Sequence, residues 1–188
     1  KFYFSHIIKM KKSKQFISIF LAIVALAIPS LGEEKSDKKS DKKSNKITNS
    51  LKGKLIELKG DKVTEGKISS SMDYYVLYHS ASWWGGCKSV TKQLVSINKK
   101  NLKLGDKKKF QIVLVDYDRS AKGLEGYLKS SKMSWPAIKL DQKKSVSELT
   151  SLGETGFIPN IVLLKPDGTM VSNKRDVVLK KLSELSGS

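Results

Sequence analysis

The chain has 188 residues, with 36 lysines and arginines against 18 acidic residues and a formal net charge of +18, a length that argues for one domain with a sizeable core and against two. One cysteine rules out an internal disulfide, and with two histidines, His6 and His79, it cannot close a zinc site. Only Arg119 and Arg175 offer arginine's planar fork and the lysines are scattered, so the basic balance points to a solvated surface with weak attraction for the anionic cell envelope and away from nucleic acid.

The first element is a targeting segment. From Met10 the chain shows a lysine-rich start, an apolar run Phe16 to Ile28, and small residues at Ser30 and Gly32, the pattern of a secretory signal cut after Gly32. Residues 1–9 read as lying upstream of the true start. The apolar run is shorter than the ~20 residues a bilayer span requires, and an uncleaved anchor is the alternative. The protein is therefore expected to be exported, periplasmic or extracellular, and still strongly basic without the five lysines of the signal. Residues 33–46, "EEKSDKKSDKKSNK", contain no apolar side chain and read as a disordered linker, because they cannot bury enough surface to offset ordering entropy.

From Ile47 the composition changes. "KLIELKGDKV" predicts two short strands around a Gly60-Asp61 turn. "YYVLYHS", Tyr74 to Ser80, is β-branched and aromatic as in a strand covered on both faces. Cys87, Val90, Leu94 and Ile97 recur at helical spacing, which places Cys87 on the core side of a helix. "FQIVLVDYD", Phe110 to Asp118, is a second central strand, followed by a helix capped by Ser120 with Leu124, Tyr127 and Leu128 on its inner face. "KMSWPAIKL" reads as a loop with a short strand. Ser145 and Glu148 have capping-box spacing for a brief helix through Leu152. "FIPNIVLLKPDGTMVS" predicts a hairpin turning at Pro166-Asp167-Gly168, and a final helix capped near Asn173 buries Val178, Leu182 and Leu185. This order predicts an α/β sandwich with a central mixed β-sheet flanked by helices and an N-terminal β-hairpin.

Over roughly Leu51 to Leu185 the chain resembles the thioredoxin fold, within it the tryparedoxin and nucleoredoxin branch. "VLYHSASWWGGC" is similar to that branch's aromatic strand, Ser-Ala-Ser-Trp and Cys-x-x-Cys site. "VLVDYDRSAKGLEGYLKSSKMSWPAI" is similar to its next strand, helix and Met-Pro-Trp loop, and "GFIPNIVLLKPDGTMV" to its cis-proline strand and hairpin. The resemblance implies a scaffold for thiol–disulfide exchange, in which a cysteine thiolate at a helix N-terminus attacks a disulfide and a second cysteine breaks the mixed disulfide.

Aligned on Trp83, the resemblance puts Trp84 where the attacking cysteine belongs and Cys87 where the resolving one belongs. Tyr78 then stands where many thioredoxins keep a buried acid, and His79, on the opposite face, is either a core histidine or a proton carrier. Gly85 and Gly86 replace a proline-containing pair, either to make room for the Trp84 ring or a partner, or as drift. The resemblance also implies that Pro159 is cis, with Ile158 before it pairing an extended substrate, and that Trp135 borders the same surface. Together Trp83, Trp84, Trp135, Ile158 and Pro159 can form an apolar peptide-binding patch, the alternative for each tryptophan alone being core packing. The leading expectation is a monomeric, cofactor-free protein-binding module without full dithiol activity. The alternative is a one-cysteine thiol–disulfide oxidoreductase using Cys87.

Overall fold

The β-branched and aromatic runs pair into one seven-stranded sheet in a computed structural model that describes residues 45–187. The expected secretory signal and the expected linker up to Ser44 lie outside the described residues. In chain order the elements are α1 (Lys46–Leu51), β1 (Leu55–Lys59), β2 (Lys62–Glu65), β3 (Tyr74–Ser80), α2 (Gly85–Lys103), β4 (Phe110–Asp116), α3 (Ala121–Ser130), β5 (Ala137–Ile138), α4 (Ser147–Thr150), β6 (Asn160–Leu164), β7 (Met170–Ser172) and α5 (Arg175–Leu185).

The strand order is β2-β1-β5-β4-β3-β6-β7. β3 and β4 run parallel in register from Tyr74 opposite Phe110 to Ser80 opposite Asp116, so the C-terminal ends of the two central strands lie side by side. β6 is antiparallel to β3, with Asn160 opposite His79. The β1–β2 hairpin continues the sheet through an antiparallel pairing of β1 with β5. Strand alternation sends successive side chains to opposite faces. Val76 and Tyr78 join Val90, Leu94, Leu124, Tyr127, Val178 and Leu182 on the face covered by α2, α3 and α5. Tyr75 and Leu77 join Ile47, Leu51, Val113, Val115 and Leu149 on the face covered by α1 and α4. The α/β sandwich with a mixed sheet follows from sequence patterning, with three local differences.

The fold begins earlier than the composition suggests. Asn45 caps α1, accepting the Thr48 amide at 3.0 Å and donating to Tyr75 Oη at 2.8 Å, and Lys46 pairs with Glu148 at 2.9 Å. These side-chain bonds, with burial of Ile47 and Leu51, order a helix whose cap, Asn45, and first residue, Lys46, the sequence assigns to the linker. The Ser145/Glu148 capping box does not form. A 3₁₀ turn over Lys144–Val146 holds Ser145 inside a turn, where its Oγ donates to the Gln142 carbonyl, and α4 starts after Val146. Nor does Asn173 cap α5. The cap position is Lys174, and Asn173 Nδ2 reaches back to the Gly153 carbonyl at 3.2 Å. Ser120 does cap α3, accepting the Gly123 amide at 3.1 Å.

Candidate functional site

The turn from β3 into α2 is held from below and from the side. Ser82 donates its amide and its hydroxyl to one oxygen of Asp118, at 3.1 and 3.0 Å. The Asp118 amide in turn donates to Asp116 at 3.1 Å. Trp84 then occupies the cap position of α2 in extended conformation, with its carbonyl accepting the Cys87 amide at 3.0 Å and no side-chain cap. Both indoles stay at the surface, Trp83 63% and Trp84 48% exposed, edge to face with ring centroids 6.3 Å apart.

Cys87 is fully buried and unpaired. It sits on the inner stripe of α2, over a cluster of hydroxyls that anchors the first turn of the helix. Tyr78 Oη donates to the Cys87 carbonyl at 3.1 Å, and Thr91 Oγ1 donates to the same carbonyl at 2.9 Å. Thr91 Oγ1 also lies 2.8 Å from Tyr78 Oη and 2.9 Å from Tyr127 Oη, which is 2.7 Å from Ser80 Oγ. Burial pushes the Tyr78 phenol far above its usual range, so a neutral hydroxyl, and no carboxylate, lies beneath the cysteine. It can hold the helix but cannot take up a proton at neutral pH.

The second wall comes from the segment entering β6. The Ile158–Pro159 peptide bond is cis, and both residues are half-buried. A methyl group on Gly86 would stand 2.9 Å from Trp84 Nε1 and 3.6 Å from Pro159 Cδ. The Trp84 ring, the helix start and Pro159 therefore meet at a point where only glycine leaves room, whereas Gly85 faces open space. Phe157, two residues before Pro159, is 80% exposed. Sequence reasoning passed over it, although its place two residues before Pro159 was the available signal.

Trp135 is not part of this surface. Parallel pairing of Leu114 with Ala137 sets Trp135 back along the sheet, and its side chain is 2% exposed in the core with its Nε1 unpartnered. The expected patch thus loses Trp135. His79, on the other face from Tyr78, is also buried; its Nδ1 is 3.1 Å from Tyr117 Oη, which donates to Glu154 at 2.6 Å. Burial lowers the His79 pKa from 6.5 to about 4, so the ring is neutral at pH 7 and donates its Nδ1 proton to Tyr117. Among the described residues no group of three or more His, Cys, Asp or Glu is placed to hold a metal ion, and no helix is long and apolar enough to cross a membrane.

Residues 72–170, which hold this turn, the cysteine and the proline loop, match the family described as Thioredoxin-like. The chain belongs to the thioredoxin-like family. It is 33% identical over 113 residues to nucleoredoxin of Xenopus laevis, covering 59% of this chain and 26% of the relative. It is 32% identical over 91 residues to tryparedoxin of Trypanosoma brucei brucei, covering 48% and 60%. Thus it spans about a quarter of the length of the nucleoredoxins it matches. Among solved structures, tryparedoxin II complexed with glutathionylspermidine superposes with a TM-score of 0.56 at 25% identity, covering 71% of this chain and 91% of that one. Native tryparedoxin I from Crithidia fasciculata gives 0.55 at 27%, covering 73% of this chain and 92% of that one. The thioredoxin-like chain therefore has the oxidoreductase scaffold of the nucleoredoxin and tryparedoxin kind.

Proposed function

We propose that this thioredoxin-like protein is exported, has lost dithiol exchange, and binds a protein or peptide through the face made by Trp83, Trp84, Ile158 and Pro159, with Phe157 at its edge. The observation that carries the reading is the pairing of an exposed indole at the cap of α2 with a fully buried Cys87 behind it. Thiol–disulfide exchange needs a thiolate that approaches a disulfide sulfur, forms a mixed disulfide, and is then displaced by a second thiol. Here the one sulfur is enclosed, and Trp84 stands where alignment on Trp83 puts the attacking cysteine. An indole offers neither an acidic proton nor a lone pair for that attack. What it does offer, with Trp83 and Phe157, is rigid apolar area at the surface, the kind of side chain that anchors a partner.

Insulin reduction tests the loss of exchange. The untouched protein should give no turnover above the uncatalysed rate, while Trp84→Cys should gain some, because a thiol at the helix start is activated by unsatisfied amides and the helix dipole. Wild-type turnover would end the reading. Iodoacetamide at neutral pH should label Cys87 only after denaturation; labelling of the native protein would favour the one-cysteine enzyme instead. Export rests on the N-terminal composition, and sequencing of protein recovered outside the cytoplasm should begin at Glu33. The linker adds weak attraction for anionic envelope polymers, so deleting residues 33–44, which spares the Asn45 cap and Lys46 of α1, should reduce envelope association in low salt alone.

A further inference from the structure

Beside the aromatic face, α2 and α3 leave a groove of about 470 Å³. Its walls carry Lys88 and Lys92 from α2 and Lys132 from beyond α3, with the hydroxyls of Ser82 and Ser130 and the side chain of Val95 between them. No acidic residue lines it. Ion pairs engage Lys46, Lys59, Lys109, Lys129 and Arg175, and Glu125, the one acid on α3, is taken by Lys129. Lys88 and Lys92 lie one turn apart in the first half of a helix that has no acid in its first turn. Like charges at that spacing repel, and cations near a helix N-terminus oppose its dipole. Both costs disappear when an anion enters the groove.

We infer that the partner's docking segment is an acidic peptide, whose carboxylates enter this groove while its apolar side chains rest on Trp84. The inference rests on reading the Trp84/Pro159 face as a protein-binding surface. Groove and face adjoin along the chain: Ser82, in the groove wall, directly precedes Trp83, and Lys88 follows Trp84 by one helical turn. An extended peptide turns alternate side chains to opposite sides and so presents both chemistries within a few residues. Phosphate chains favour arginine's fork, yet neither Arg119 nor Arg175 lines the groove. A lipid surface is flat and does not fill a concave cleft.

Short random peptides displayed on phage, selected on the full chain, test the inference. The selected sequences should place Asp or Glu next to aromatic or aliphatic residues. A synthetic peptide from the selection should bind about tenfold more weakly to the triple variant Lys88→Glu, Lys92→Glu, Lys132→Glu. It should weaken similarly when its acids are changed to amides, and lose affinity as salt rises. All three lysines are exposed, so the variant should fold, which circular dichroism checks. Selected peptides without acidic enrichment whose binding still depends on Trp84, read with Trp84→Ser, would overturn the groove and leave the face standing. Equal binding of an acidic peptide to the triple variant would overturn it too. If no selected peptide depends on Trp84, the face reading fails and the groove with it. Tighter, lysine-dependent binding to phosphatidylglycerol vesicles than to any selected peptide would replace the peptide by a lipid surface.

Discussion

Replacing Asp116 by asparagine should turn a nearly flat dependence of stability on pH into a rising one. Asp116 ends β4 with no exposed surface; one carboxylate oxygen accepts the Asp118 amide and the other has no partner. Burial first, and the neighbouring Asp118 second, push its pKa from 3.8 up to about 7. Between about pH 4 and 7 the folded protein therefore holds a proton that the unfolded chain has released, and stability falls as pH rises. At about 1.4 kcal/mol for each pH unit separating the two values, this amounts to at most about 4 kcal/mol.

His79 acts with the opposite sign. Burial lowers its pKa from 6.5 to about 4, with Lys143 acting the same way and Glu154 against it. The unfolded chain then takes up a proton that the folded state refuses, so stability rises between about pH 4 and 6.5, by at most about 3 kcal/mol. The two opposed slopes nearly cancel in the wild type. In Asp116→Asn the amide oxygen can still accept the Asp118 N–H, and only the histidine slope remains. Urea unfolding at constant m should show the variant gaining roughly 2–3 kcal/mol from about pH 4.5 to 6.5, while the wild type changes by about 1 kcal/mol or less. The remaining carboxylates are common to both proteins and cancel in the difference. Parallel profiles would refute the assignment of a raised pKa to Asp116.

Gly86→Ala should displace the Trp84 ring, seen as a shift of tryptophan emission and altered acrylamide quenching, while Gly85→Ala should leave emission unchanged and stabilise the helix by up to about 1 kcal/mol. Thr91→Val keeps the shape but removes the hydroxyl shared by the Cys87 carbonyl, Tyr78 and Tyr127, and should cost about 1–3 kcal/mol in denaturant titrations. Asp118→Ala removes the acceptor of both Ser82 bonds, so it should lower stability by roughly 2–3 kcal/mol and raise the quenching of Trp83 and Trp84 together.

Local periodicity was enough to read most of the scaffold. Runs such as "YYVLYHS" and "FQIVLVD" are apolar on both faces because they end in the middle of a covered sheet, and the spacing of Cys87, Val90 and Leu94 placed the cysteine on the inner stripe of α2. The likeness around "SASWW" located the site. Helix α1 was not legible, since its stability comes from Asn45 reaching Tyr75 and from two buried side chains, contacts made far along the chain.

The sequence by itself determined which residues face inward, because burial imposes a period of two on a strand and about 3.6 on a helix, and that period is written in consecutive side chains. Strand order and register decided what meets what. They sent Trp135 into the core, set Pro159 beside the Trp84 ring at Gly86, and brought Asp116, Asp118 and Ser82 into one chain of hydrogen bonds. They also gathered Lys88, Lys92 and Lys132 around one groove. No local pattern carries such information, since these neighbours come from separate elements and are joined only when parallel strands bring their C-terminal ends together.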